Sequence, residues 1–188
     1  MMGARLWELL CGMIITDKEI AIDKIMQQEI VAIFQDSSEY GPRALGNRSL
    51  LFDPRNKNGK DIVNKIKKRE WFRPFAGTVL LEHATDWFEM GTIKESPYMS
   101  YAIPVKDNKK KIIPCITHVD GTCRIQTLTR KQNKSYYELI KLFYQKTNVP
   151  ILFNTSFNLA GEALVETKED ALDTMKRSEI NYLYMPYE

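Results

Sequence analysis

Four short stretches of the chain carry the residues that could bind anions or nucleotides. The first is EYGPRALGNRSLLFDPR (residues 39–55), in which Arg43, Arg48 and Arg55 are separated by glycines. A guanidinium group matches phosphate oxygens with two parallel hydrogen bonds, and glycines let backbone amides approach a ligand closely. A solvated loop with ion-paired arginines explains this stretch equally well, because surface ion pairs are common. Phosphate binding is therefore indicated only if the other stretches join it.

The second stretch, KKREWFRPF (residues 67–75), begins with a K-x-R pair formed by Lys67 and Arg69. In an extended segment this spacing directs both cations to one side of the backbone. A basic helix end accounts for Lys68 but not for Arg73, which lies in a segment apolar enough to be buried. Because an unpaired buried cation is costly, we expect Arg73 to meet an anion.

The third stretch, THVDGTCRIQ, places His118 and Arg124 on either side of Asp120-Gly121. An Asp-Gly pair between apolar runs predicts a tight turn in a β-hairpin. His118 has no second histidine or cysteine at the spacing of metal ligands. We therefore expect no transition-metal site in this chain.

The fourth stretch, FNTSFNLAGE, follows a strongly apolar run and carries Asn154, Ser156 and Asn158. The carboxyl end of a strand is where open α/β sheets bind ligands. Hydroxyl and amide groups suit phosphate or ribose oxygens. No glycine-rich loop of the Walker or Rossmann kind occurs, so nucleotide binding would need another geometry.

The elements that must position these stretches are short and alternate along the chain. Capping motifs predict helices that begin near Thr16, Ser135 and Thr167, and a fourth helix is predicted over Asp61–Lys68. Predicted strands cover residues 30–34, 75–81, 98–105, 111–117, 123–128, 149–154 and 181–185, with a hairpin tip at 109–111. Such interleaving predicts an α/β fold with a sheet of mixed strand direction, and residues 131–185 read as a crossover connection.

Bulk properties narrow the class of protein. The 188 residues, of which 44% are hydrophobic, predict one domain over 1–188 whose residues 1–28 form a helical lead-in. The net charge of +3 is too small for bulk attraction to nucleic acid or membranes. Three cysteines without a C-x-x-C spacing favour a reducing compartment, so we expect a cytoplasmic protein. The opening helix, with Leu6, Trp7 and Leu10, is too short for a membrane span and is expected to face a neighbouring domain.

Taken in order, several motifs resemble the C-terminal domain of the nodulation and antibiotic-tailoring O-carbamoyltransferases. They are EYGPRALGNRSLLFDPRN, KKREWFRPFAGTVL, SPYM, HVDGTCRIQT and NTSFNLAGEALVET, and the likeness covers about residues 17–188. The resemblance implies a YrdC-like fold, which is a twisted mixed α/β sheet with flanking helices, related to threonylcarbamoyl-adenylate synthases. Lys67-Lys68-Arg69 and Ser156-Phe157-Asn158 resemble the K-x-R and S-x-N signatures of that fold.

The same resemblance implies an activity. The domain would take carbamoyl phosphate and ATP with Mg²⁺, form carbamoyl-adenylate, and pass it to a larger actin-like N-terminal domain or subunit that holds a metal and the hydroxyl acceptor. Two phosphorylated substrates repel each other, so several cations must bring them together. The residues expected to act on the reacting groups are Lys67, Arg69, Arg43 and Arg73. Those expected to bind substrate or nucleotide are Arg48, His118, Arg124, Asn154, Ser156 and Asn158.

Two alternatives stay open at the level of sequence. The domain could be a non-catalytic YrdC-like module that binds a nucleotide or RNA, although the small net charge disfavours nucleic acid. It could also be an enzyme similar to the threonylcarbamoyl-adenylate synthases of tRNA modification, which use threonine and bicarbonate instead of carbamoyl phosphate. No membrane partner is expected.

Overall fold

The computed structural model describes residues 13–187. The strands are β1 Met13–Ile15, β2 Val31–Phe34, β3 Arg48–Phe52, β4 Ala76–Leu80, β5 Ala102–Pro104, β6 Thr122–Leu128, β7 Ile151–Ser156 and β8 Tyr182–Tyr184. The helices are α1 Lys18–Met26, α2 Gly59–Ile66, α3 Ala84–Trp87, α4 Asp107–Lys110, α5 Lys134–Thr147 and α6 Lys168–Lys176, with a 3-10 turn at Leu81–His83. The predicted helix around Leu6, Trp7 and Leu10 lies outside the described residues. The part of the lead-in at Met13–Ile15 is a strand, not a helix.

The eight strands form one sheet in the order β1-β8-β2-β3-β7-β4-β6-β5. Strands β1, β8 and β2 run parallel, and so do β4 and β6. Strand β3 is antiparallel to both neighbours, β7 is antiparallel to β4, and β5 is antiparallel to β6. The prediction of a mixed α/β sheet is confirmed. The connection from β7 through α6 to β8 passes over β3 and β2.

Of the three predicted helix N-caps, one is confirmed and two are shifted to a nearby residue. Thr167 and Asp170 form the predicted capping box at α6. Helix α1 is capped by Asp17, which accepts from the Glu19 amide, rather than by Thr16. In the same way Asn133, not Ser135, caps α5. Carboxylate and amide oxygens cap as well as hydroxyls do, so neighbouring polar residues compete for this role.

Two predictions about the middle of the chain are wrong. Residues 111–117 do not form a strand, and 109–111 is no hairpin tip, because Asp107–Lys110 folds into α4. The apolar side chains of Ile113 and Ile116 are fully buried without strand pairing. A short apolar run alone does not distinguish a strand from a buried irregular segment. Asp120-Gly121 does turn tightly, but it leads from this irregular segment into β6.

Candidate functional site

A cleft beside the end of β7, which we call the arginine cleft, brings together six of the predicted site residues. Its volume is about 140 Å³. The predicted residues that line it are Arg43, Arg69, His118, Arg124, Asn154 and Ser156. No aspartate or glutamate is among the described residues that line it. The cleft is therefore a concentrated site of positive charge.

The sheet positions one wall of the arginine cleft. Ala76 on β4 lies between Arg124 of β6 and Asn154 of β7 in register. Because side chains alternate along a strand, Asn154 and Ser156 project to the same face. The small side chain of Ala76 leaves room between its two neighbours. The pairing of β4 with β6 and with β7 therefore brings three stretches that are distant in sequence to the same wall of the cleft.

A loop that we call the strap, residues 42–47, forms the opposite wall. The sheet holds it from below through two buried amide side chains. Asn154 Nδ2 donates to the Ala44 carbonyl at 3.3 Å, and Gln126 Nε2 donates to the Leu45 carbonyl at 2.9 Å. Gln126 was missed at the level of sequence. A polar residue in an otherwise apolar strand was the signal that could have revealed it.

Further contacts hold the second half of the strap, residues 45–47. Glu39 Oε1 accepts hydrogen bonds from the amides of Leu45 at 2.6 Å and Asn47 at 2.8 Å. Gly46 has φ +112° and packs on Tyr136, whose Cδ1 would lie 2.2 Å from a Cβ at this position. Only glycine fits both the backbone angle and this close approach. The path of the strap is therefore set by interactions with the protein itself.

The arginines of the cleft lack acidic partners. Burial lowers the pKa of Arg69 to about 10, and the nearby Arg73 lowers it further in the same direction. Burial and then Arg43 lower the pKa of Arg124. Within the part of the chain that the structure describes, Arg43, Arg69 and Arg124 form no ion pair with a carboxylate. Like charges held together in this way favour an anionic ligand.

Arg69 is oriented by its surroundings. Its Nε donates to Asn64 Oδ1 at 2.5 Å, and its guanidinium lies 4.0 Å from the centre of the Phe75 ring. Stacking on an aromatic ring fixes the plane of the guanidinium. Nη2 also donates to the Pro74 carbonyl at 3.3 Å, so among the described residues Nη1 is the nitrogen of this group without a hydrogen bond and is available to the cleft.

Lys67 lies behind the cleft instead of lining it. Its side chain is buried, and Nζ donates to Ser156 O at 2.5 Å, Asn158 O at 2.8 Å and Asn158 Oδ1 at 2.9 Å. Burial, and then the charge of Arg69, lower the pKa of Lys67 to about 7. Asn158 also accepts from the Ser156 hydroxyl at 2.7 Å and does not line the cleft. The K-x-R and S-x-N segments thus meet, with Lys67 fixing the chain that follows β7.

The expected geometry of the K-x-R pair is wrong. Lys67 caps the end of α2, and Lys68 has a positive φ of 54°. The pair therefore does not lie in an extended segment, and its two cations do not point to one side. Arg69 lines the cleft, whereas Lys67 is turned into the protein.

Arg48 is not brought to the cleft. It is 3% exposed, and its guanidinium donates to the carbonyls of Gln35 at 2.6 Å and Asp36 at 2.9 Å. The group also lies 3.5 Å from the centre of the Phe34 ring. Burial lowers the pKa of this arginine. Nη1 and Nη2 are both used by backbone oxygens, and the buried Nε has no partner among the described residues. Arg48 does not line the cleft, so its place is structural and not that of a phosphate ligand there.

The expected burial of Arg73 is wrong as well. Arg73 pairs with Glu70 at 3.2 Å, and both side chains are more than half exposed. Trp71 and Phe72 beside it are 72% and 62% exposed. Only Phe75 of this apolar segment turns into the core, because residues 70–74 form a surface turn. Arg73 reaches the cleft only through its charge on Arg69.

His118 lines the cleft with both ring nitrogens already engaged. Nε2 lies 2.9 Å from the Phe75 carbonyl, and Nδ1 lies 3.1 Å from Thr122 Oγ1. A carbonyl oxygen only accepts, so Nε2 carries a hydrogen and donates it. His118 therefore braces the wall of the cleft, and neither nitrogen is free for a phosphate.

The described residues offer neither a membrane span nor a metal cluster. Across residues 13–187 no helix is long and apolar enough to cross a membrane. Within the same range no three histidine, cysteine or acidic side chains are grouped so that they could hold a metal ion.

Solved structures show the same fold. A full-length HypF in its phosphate- and nucleotide-bound form superposes with a TM-score of 0.60 at 20% identity, over 90% of this chain and 21% of that one. A variant of Sua5 from P. abyssi superposes with a TM-score of 0.59 at 12% identity, over 89% and 48% of the two chains. The predicted YrdC-like sheet is confirmed by these two likenesses.

Proteins that are similar in sequence provide a second comparison. Nodulation protein NolNO of Sinorhizobium fredii is 44% identical over 165 residues, which is 87% of this chain and 24% of that protein. Nodulation protein NolO of Bradyrhizobium diazoefficiens is 43% identical over 166 residues, or 87% and 30%. The chain thus spans less than a third of the length of these relatives. Residues 22–187 match the family described as Carbamoyltransferase C-terminus, and the chain therefore belongs to that family.

Proposed function

We propose that this domain forms carbamoyl-adenylate from carbamoyl phosphate and Mg²⁺-bound ATP, for transfer to a hydroxyl acceptor. The observation that carries the proposal is the arginine cleft, where Arg43, Arg69 and Arg124 meet and no carboxylate of residues 13–187 lines the wall. Membership of the carbamoyltransferase C-terminus family supports the carbamoyl group. The HypF likeness supports a nucleotide, because that protein was solved with phosphate and nucleotide bound.

Charge explains why such a cleft suits two phosphorylated substrates. Carbamoyl phosphate and ATP together carry about six negative charges, and each close pair repels by about 4 kcal/mol at an effective dielectric near 20. The arginines oppose this repulsion. At the same time the bound phosphates relieve the repulsion among the arginines themselves. In this proposal Mg²⁺ belongs to the substrate complex, since triphosphate oxygens bind it and no carboxylate is among the described residues that line the cleft.

The chemistry needs no nucleophile from the protein. Water splits carbamoyl phosphate into carbamate and phosphate. A carbamate oxygen then attacks the α-phosphorus of ATP, and pyrophosphate leaves with the electrons of the broken P–O bond. In this proposal the arginines bind phosphate oxygens, Lys67 fixes Ser156, and Asn154 holds the strap. Positioning and charge stabilisation then account for the rate.

Transfer of the carbamoyl group belongs to a further part of the enzyme. We assign the acceptor hydroxyl to an actin-like N-terminal domain or a separate subunit, which fits a chain that spans under a third of its relatives. The adenylate is unstable in water, so the two sites should work in direct contact.

The test is exchange of labelled pyrophosphate into ATP, which should depend on carbamoyl phosphate. Combining Arg69→Ala with Arg124→Ala should lower the exchange rate by about 100-fold or more, because two charge-stabilising groups are lost. Arg130→Ala is the matched control, since Arg130 is exposed and pairs with Glu138 on α5. Calorimetry with ATP and with carbamoyl phosphate completes the test.

Three outcomes would count against the proposal. They are unchanged exchange in the double variant, an equal loss in Arg130→Ala, and the absence of both exchange and ATP binding in the unaltered chain. Threonine with bicarbonate in place of carbamoyl phosphate distinguishes the synthase-like alternative. Salt-sensitive RNA binding without exchange would favour the non-catalytic module.

A further inference from the structure

The side chain of Gln126 connects the two walls of the arginine cleft without lining the cleft itself. It lies on β6 and is 3% exposed. On the strap side, its Nε2 donates to the Leu45 carbonyl at 2.9 Å. On the sheet side, its Oε1 accepts from the Thr78 hydroxyl at 2.8 Å and from Asn154 Nδ2 at 3.3 Å. Gln126 is not among the residues that line the cleft, so it can affect a bound ligand only through these walls.

The Thr78 hydroxyl fixes which end of the Gln126 amide faces the strap. The Leu45 carbonyl only accepts hydrogen bonds, so it requires the NH2 end of the amide. The Oε1 end then meets Thr78, which is fully buried and supplies a hydrogen to it. A side chain at this position must therefore donate in one direction and accept in the other, which neither methionine nor an ionised glutamate can do.

The position of Arg43 depends on the backbone that follows it. Among the described residues, the Arg43 guanidinium hydrogen-bonds only the carbonyl of its neighbour Pro42, at 3.1 Å. The next carbonyl, that of Ala44, is held by Asn154 Nδ2 at 3.3 Å, but this NH2 group also serves two other acceptors. The carbonyl after it, that of Leu45, has the shorter bond of 2.9 Å to the sheet.

The other polar side chains that hold the strap have different effects. Glu39 lies just before the strap in sequence, so its bond to the Leu45 amide closes a local loop and sets the shape of that loop. Gln35 Nε2 holds the Gly46 carbonyl at 2.8 Å, at the end of the strap that lies farther along the chain from the cleft residues. Gln126 is therefore the stronger of the two ties between the sheet and the half of the strap that lines the cleft.

We propose that Gln126 is a positioning residue, which keeps Arg43 at the distance from Arg124 that a polyphosphate needs. This inference rests on the proposed function, because it concerns how the arginine cleft binds phosphorylated ligands. Without the Gln126 amide, the Leu45 carbonyl has no donor among residues 13–187. The strap can then move away from the sheet, and the mutual repulsion of the two arginines favours that movement.

The experiment measures the binding of inorganic tripolyphosphate to the full chain by calorimetry. Gln126→Met keeps the length of the side chain and removes the amide. It should weaken binding about 10-fold, as much as Arg43→Ala does, because a hydrogen bond to a charged group contributes about that factor. If Gln126 acts through Arg43, the double variant should also lose about 10-fold and not about 100-fold.

Thr127→Val is the matched control. Thr127 is the next residue of β6, is buried, and projects to the opposite face of the sheet, where its hydroxyl accepts from the Ser96 amide at 2.7 Å. Its loss removes a buried hydrogen bond from the same strand without touching the strap. Tripolyphosphate binding should therefore stay within about twofold of that of the unaltered chain.

A second pair of variants tests the same inference if Gln126→Met does not fold. Thr78→Val removes the hydroxyl that orients the Gln126 amide, whereas Thr78→Ser keeps it. Thr78→Val should weaken tripolyphosphate binding severalfold, and Thr78→Ser should stay within about twofold of the unaltered chain. Equal affinities in these two variants would overturn the inference.

The outcomes separate the inference from the proposed function. Unchanged binding in Gln126→Met overturns the inference, and so does a double variant whose loss is the product of the two single losses. A loss in Thr127→Val equal to that in Gln126→Met also overturns it, because any polar change in β6 would then disturb the cleft. If these results appear while the unaltered chain still exchanges pyrophosphate, the proposed function stands alone. If the unaltered chain binds no tripolyphosphate, both fail together.

Discussion

The buried ammonium of Lys67 should make the stability of this protein rise with pH. Burial lowers the pKa of Lys67 in the folded protein to about 7. In the unfolded chain the ordinary value is about 10.4. Between these two values the unfolded chain holds a proton that the folded protein has lost. Raising the pH through this window therefore favours the folded state.

The size of the effect follows from the two pKa values. The folded and unfolded pKa values differ by roughly 3.5, which corresponds to about 5 kcal/mol. Below the folded pKa this energy destabilises the folded protein in full, and above the unfolded pKa the destabilisation is gone. Between about pH 7.5 and about pH 9.5 the free energy of unfolding should rise by about 2–3 kcal/mol on account of this one group. Lys67 is 2% exposed, so solvent screening takes away little of it.

Urea unfolding followed by circular dichroism measures this directly. Lys67→Met keeps an unbranched stem and removes the titrating group. The difference between the unaltered protein and Lys67→Met should grow by about 2–3 kcal/mol across that pH range, whereas other titrating groups cancel in the difference. Lys65→Met, at an exposed position on α2, is the matched control and should give a flat difference.

A flat difference for Lys67→Met would refute this reasoning. Four oxygens of Ser156 and Asn158 accept from Nζ, and such bonds favour the charged form. A flat result would mean that these oxygens offset the burial and keep Lys67 charged throughout.

Three further results are expected. Arg48→Ala should lower the free energy of unfolding by about 3 kcal/mol or more, because the carbonyls of Gln35, Asp36 and Glu166 lose the guanidinium donor, whereas the Asn47 carbonyl keeps the Gln35 amide; a loss under about 1 kcal/mol in urea unfolding would contradict this. Gly46→Ala should destabilise by about 3 kcal/mol or more through its contact with Tyr136, whereas Gly41→Ala, which has φ +138° and no atom within 4 Å, should cost about 1–2 kcal/mol; equal losses would show that the contact is not decisive. ATP affinity measured by calorimetry should fall severalfold as salt rises from about 0.05 M to about 0.5 M, and an unchanged affinity would count against a charged cleft.

The sequence predicts the general character of the site better than it predicts the role of each residue. Arg43 and Arg48 are five positions apart in one motif and have the same chemistry, yet only Arg43 lines the cleft. Arg48 begins β3, and its place there lets its guanidinium stack on Phe34. No local pattern distinguishes the two arginines, because the difference arises from the pairing of strands distant in sequence.

The burial of short apolar segments is hard to predict from sequence for a related reason. Composition suggests that residues 71–75 are buried, but the chain reverses there and only Phe75 meets the core. Local sequence patterns, by contrast, predict the mixed sheet and the capping box at Thr167. The likeness of the motifs to a known family predicts that the K-x-R and S-x-N segments meet. Whether a single side chain is buried depends on the direction in which a turn leads the chain relative to the core. A local sequence pattern does not give that direction.

The strap offers a route to altered specificity. Its course depends on main-chain atoms, on buried amides of the sheet and on Glu39, and not on the side chains at positions 42 and 43. Pro42 and Arg43 are exposed and line the cleft. A combinatorial library at these two positions should therefore change which anions the cleft prefers while the scaffold remains intact, which makes this short segment an evolvable part of the domain.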